Sequence, residues 1–82
     1  MTEAELLALF SQLLGELLGQ DPPALTLATR REDVPGWDSF TYINLIVAIE
    51  TRLKIKFRVA EVESFENVGA IVQRAQALLR RP

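Results

Sequence analysis

Two adjacent side chains in this 82-residue chain are placed where they could do chemistry: Asp38 and Ser39, in the stretch Gly36-Trp37-Asp38-Ser39-Phe40. An aspartate is a preferred helix N-cap, because its carboxylate accepts from free N–H groups of the first turn. With Asp38 in that role, Trp37 and Tyr42 occupy the two positions of a hydrophobic staple. Pro35 and Gly36 supply the turn before it. Ser39 then stands at the first helical position with a hydroxyl that the cap does not need. Open N–H groups and the helix dipole at such an end suit a phosphate.

Other chemistries are excluded by composition. The chain has no histidine and no cysteine. Ser-His and Cys-His nucleophiles, thiolate or imidazole zinc sites and disulfides are therefore impossible. No acidic, basic or hydroxyl groups fall into a recognisable catalytic spacing, so neither catalytic residues nor a metal site are expected. A net charge of −2 argues against a general nucleic-acid binder. Residues 1–38 hold seven acids against two bases and residues 39–82 four acids against seven bases, balances of −5 and +3. No apolar run is long enough to span a bilayer, and the acidic N-terminus is wrong for a secretory signal. The expectation is a soluble, cytoplasmic, monomeric protein forming one domain over residues 1–82, with 49% hydrophobic residues to build its core.

The elements that must position Asp38 and Ser39 read as helices. Thr2 and Glu5 have capping-box spacing. Leu6, Phe10, Leu13, Leu14 and Leu17 form a core stripe, and Gly19 is a stop. The stripe is too short for a coiled-coil seam, which wants three or four heptads. Residues 20–38 show no helical period and read as a long loop, with Leu25 and Leu27 as candidates to pin it.

From about Ser39 to Leu53 the helix carries two apolar stripes. Tyr42, Leu45, Ile46, Ile49 and Leu53 fall on one side, and Phe40, Ile43 and Val47 on another, with Glu50 between them on one flank. A small bundle core takes one stripe and leaves the second exposed or over a cavity mouth; a central, fully buried helix would take both. Lys54 to Val59 alternates basic and apolar residues. It could be a strand with Ile55, Phe57 and Val59 inward, but an extended connector fits better, since no second strand is available. Ala60 to Ser64 makes at most a short helix. Asn67 caps a last helix with Val68, Ile71, Val72, Ala75, Leu78 and Leu79 as its stripe, and Arg80 and Arg81 suit its negative end.

This pattern resembles the acyl carrier proteins, whose second helix begins with a serine after an aspartate. The resemblance runs from Trp37 through Ile43, Leu45, Ile46, Ala48, Ile49-Glu50 and Leu53, then Ile55-Lys56-Phe57, Phe65 and Val68-Gly69. It implies an all-α, small four-helix bundle with three long helices, one short helix and a long loop between the first two. It also implies a 4′-phosphopantetheine arm, taken from coenzyme A and attached at Ser39, whose thiol carries an acyl or aminoacyl group as a thioester. Asp38 would cap the helix and aid recognition by the phosphopantetheinyl transferase (holo-acyl-carrier-protein synthase), approaching that enzyme's metal. Phe40, Ile43 and Val47, with Trp37, would dock partners: the transferase, an acyl-loading ligase or acyltransferase, and condensing or transferring enzymes.

Carriers of bulk fatty acid biosynthesis have a strongly acidic second helix, whereas Thr41, Asn44, Thr51 and Arg52 stand here. The expectation is a specialised carrier, in polyketide, other secondary-metabolite or envelope biosynthesis. Peptidyl carriers are similar enough to remain an alternative, as does an unmodified helical docking module.

Overall fold

The computed structural model describes residues 1–80; Arg81 and Pro82 lie outside the described residues, and with them the expected role of Arg81 at the last helix end. Four helices form in the order α1 (Glu3–Leu18), α2 (Ser39–Leu53), α3 (Val59–Ser64) and α4 (Val68–Leu79). This is the all-helical arrangement expected from the sequence, with α1 packed against both α2 and α4.

Each long helix starts where its capping chemistry places it. The Thr2 hydroxyl accepts from Glu5 N at 3.1 Å, and the Glu5 carboxylate accepts from Thr2 N at 2.8 Å. Gly19 closes α1 in the left-handed conformation, φ 69°, the geometry that favours glycine at a helix end. Asn67 Oδ1 accepts from Ala70 N at 2.9 Å to start α4. Leu6, Phe10, Leu13 and Leu14 of α1 meet Tyr42, Leu45, Ile46 and Ile49 of α2 and Val68, Ile71, Val72 and Ala75 of α4 in one core. Leu17 does not join them. It is 41% exposed, and in this last turn of α1 it is Leu18 that packs against the core.

The long loop is pinned mainly by its backbone. Ser11 Oγ donates to the carbonyl of Pro23. Gly15 leaves room for this leg, since a Cβ there would come within 2.8 Å of Pro22 Cα. At the far side, Val68 N donates to Thr29 O and Gly69 N to Leu27 O, each at 2.8 Å. Two N–H groups that α4 itself cannot use are thereby satisfied by loop carbonyls. Leu25 packs against the core, but the Leu27 side chain is 39% exposed. The expectation for Leu27 is thus corrected: its carbonyl, not its side chain, holds the loop. Beyond it the loop makes a single 3₁₀ turn, Arg31–Asp33, which no apolar period announced. Val34 and Trp37 then enter the core at 8% and 6% exposure.

After α2 the chain is extended. Lys54 takes a left-handed φ of 57°, and Glu50 gathers the connector. Its carbonyl accepts from Ile55 N at 3.1 Å, and its carboxylate accepts from Phe57 N at 2.8 Å. Phe57 is buried and meets Phe65 edge-on at 5.5 Å. Val59 points the other way, 75% exposed at the start of α3. Tyr42 ties α3 to α2 by donating its hydroxyl to Val62 O at 2.5 Å.

Two outcomes follow from these contacts. In Gly69→Ala the new Cβ would meet Leu27 O at 2.6 Å, so the loop clamp must shift. The expected loss is roughly 1–3 kcal/mol, the usual cost of overpacking, read from urea unfolding followed by circular dichroism. For Tyr42, burial pushes the phenol pKa up, with the Arg31 charge acting in the opposite sense. The folded state therefore keeps its proton above the pH at which the unfolded chain releases it, and stability falls as pH rises through the ordinary tyrosine range. Tyr42→Phe should cost about 0.5–1.5 kcal/mol at neutral pH for the lost hydrogen bond and flatten that alkaline decline. A variant as pH-sensitive as wild type would contradict it.

Candidate functional site

Asp38 and Ser39 stand at the exposed tip of α2. Three short-range bonds lead the chain to them: Val34 N to Arg31 O at 3.1 Å, Trp37 N to Val34 O at 3.2 Å and Asp38 N to Gly36 O at 3.0 Å. Gly36 adopts φ 88° in this turn, a conformation that side chains resist. Asp38 is the N-cap, its Oδ1 accepting from Thr41 N at 2.8 Å. That backbone donor holds the Asp38 carboxyl below its ordinary pKa. The cap is therefore charged at neutral pH, and its contribution disappears as pH falls through the lowered value.

Ser39 is the first helical residue and takes no part in the cap. It borders a cleft of about 410 Å³ whose lining includes Arg31, Tyr42, Ile43, Val62 and Glu63. An exposed, uncommitted hydroxyl beside an open cleft suits a covalently attached group. A second cleft, about 330 Å³, lies beyond Tyr42 and Phe65 and includes Thr29, Trp37, Asn67 and Ile71. Arg31, Tyr42 and Phe65 line both. The Arg31 guanidinium carbon sits 4.7 Å from the centre of the Tyr42 ring, a cation–π contact.

The second stripe of α2 is on the surface. Phe40, Ile43 and Val47 are 77%, 52% and 51% exposed, while Tyr42, Leu45, Ile46 and Ile49 are buried. Trp37 separates from the group to which the sequence assigned it. At 6% exposure it offers almost nothing to a partner, and its ring packs 6.4 Å from that of Tyr42. Its role is the staple, and its indole nitrogen is buried without a partner among the described residues. Sequence reasoning missed Arg31, whose significance depends on a loop fold that no local pattern reports. The same holds for Glu50, whose carboxylate is turned inward to the connector.

No helix among the described residues is long and apolar enough to cross a membrane, and no group of acidic side chains there could hold a metal ion.

Comparison with known proteins agrees with this geometry. Residues 5–75 match the family model described as phosphopantetheine attachment site. Among solved structures, the fold is similar to the solution NMR structure of a holo acyl carrier protein from Geobacter metallireducens. The identity is 32% over 89% of this chain and 84% of that one, with a TM-score of 0.80. Members of this family are carriers rather than enzymes, and their cofactor is a covalently attached 4′-phosphopantetheine. With its fold and an exposed serine at the tip of α2 agreeing, the chain belongs to the phosphopantetheine-attachment family, as a domain of acyl-carrier-protein type.

Proposed function

We propose that this chain carries an acyl or aminoacyl group as a thioester on a 4′-phosphopantetheine arm at Ser39 and presents it to the enzymes of a specialised biosynthetic pathway. The observation that carries the reading is the division of labour at the start of α2. Asp38 alone closes the helix end, and the Ser39 hydroxyl is left exposed. A phosphopantetheinyl transferase would bring coenzyme A and the catalytic groups; this chain supplies the acceptor oxygen, held rigidly at a capped helix tip. The arm, once attached, provides the thiol that a cysteine-free sequence lacks. Asp38 acts as a positioning residue, because its bond to Thr41 N fixes the turn from which Ser39 projects.

Partner docking falls to Phe40, Ile43 and Val47, an apolar surface beside the attachment point. Interface cores are typically built from such exposed apolar anchors. The specialised pathway is supported by charge. Thr41, Asn44, Thr51 and Arg52 leave Glu50 as the sole acid on α2, and its carboxylate is occupied by Phe57 N. An acidic helix would steer onto basic partners; this one gives such steering little to act on. An acyl-loading ligase or acyltransferase and a condensing or transferring enzyme suited to a weakly charged face are the expected partners.

Incubation with coenzyme A and a broad-specificity transferase should add the mass of one phosphopantetheine, and the gain should vanish in Ser39→Ala. A wild-type chain that stays unmodified would instead favour a helical docking module. Phe40→Ala and Ile43→Ala should leave unfolding within about 0.5 kcal/mol of wild type yet lower kcat/KM for that modification roughly tenfold, about 1.4 kcal/mol. Unchanged kinetics in both variants would remove these residues from the docking surface.

A further inference from the structure

Arg31 is an arginine held over an aromatic ring and outside the ion pairs found among the described residues. Its guanidinium lies over the Tyr42 ring at 4.7 Å, and Tyr42 is held in turn by its bond to Val62 O. A guanidinium over an aromatic face can still use its N–H donors to meet an anion. Neighbouring Arg30 pairs with Glu32 at 4.0 Å, whereas Arg31 joins none of the ion pairs found among the described residues. Arg31 and Ser39 line the same cleft, where Glu63 is the other charged residue.

A phosphodiester on Ser39 would add negative charge directly beside the ionised Asp38, whose Oδ1 already accepts from Thr41 N. The cleft contains one cation to offset it. We propose that Arg31 is the positioning residue for the arm, donating to the non-bridging oxygens of the Ser39 phosphodiester while Tyr42 holds the guanidinium plane. This rests on attachment at Ser39. Arginine is suited to the task because its planar fork matches phosphate oxygens, which a lysine would meet only as a point charge. The arm's first link is thereby drawn toward the ridge of Arg31, Tyr42 and Phe65 between the two clefts. Of the three exposed apolar residues of α2, Ile43 borders the cleft beside Ser39, and Phe40 and Val47 are not in its lining.

The test uses the full ¹⁵N-labelled chain before and after modification with coenzyme A and a transferase, with mass spectrometry reporting the loading. Loading should shift the Arg31 Nε–Hε resonance and leave that of Arg30 in place. The ³¹P resonance of the loaded arm should shift in Arg31→Ala, and Arg31→Lys should fail to restore the wild-type value. Complete loading with an unmoved Arg31 resonance, and with the same ³¹P position in wild type and Arg31→Ala, overturns the proposal and leaves the attachment reading intact. Absence of any mass gain overturns attachment, and the role of Arg31 falls with it.

Discussion

The architecture depends on a pair of backbone hydrogen bonds between the long loop and the start of α4. Val68 N and Gly69 N are helix-end donors with no partner inside α4, and Thr29 O and Leu27 O satisfy them. The bonds are possible because position 69 has no side chain to hold the strand of loop away. They fix the middle of a segment that has little secondary structure of its own. Together with Val34 and Trp37, buried just beyond it, they bracket the 3₁₀ turn at Arg31–Asp33.

Tyr42 converts that fixed loop into a site. Its ring is a staple partner for Trp37 on one side and a platform for Arg31 on another, and its hydroxyl ties down α3 through Val62 O. Loop, α2 and α3 thus converge on one side chain, three residues beyond Ser39. The phenol is nearly buried, at 8% exposure, so its hydrogen bond operates where an unmet polar group would be expensive. The cleft beside Ser39 owes its walls to this arrangement.

The surface of α2 follows a different logic. Apolar side chains at Phe40, Ile43 and Val47 remain in water, a cost that a purely structural helix would avoid. Little negative charge is available on this helix, since Glu50, its sole acid, is drawn inward to the connector.

The sequence by itself determined whatever depends on neighbours a few residues apart. Caps at Thr2, Asp38 and Asn67, the stop at Gly19 and the limits of α2 and α4 all act over one or two turns. The freedom of the Ser39 hydroxyl belongs here too, because it follows from Asp38 being the cap. Two stripes on α2 were also legible; periodicity alone left open whether both were buried, and only the family resemblance turned Phe40, Ile43 and Val47 outward, where the packing of α1 against the other stripe leaves them. Leu17 lies on the α1 stripe yet is exposed, while its neighbour Leu18 packs against the core. Leu27, Trp37, Arg31 and Glu50 took their roles from residues distant in the chain, through a carbonyl, a staple, a ring and a connector amide. Such partners leave no periodic trace, and only the tertiary structure could assign them.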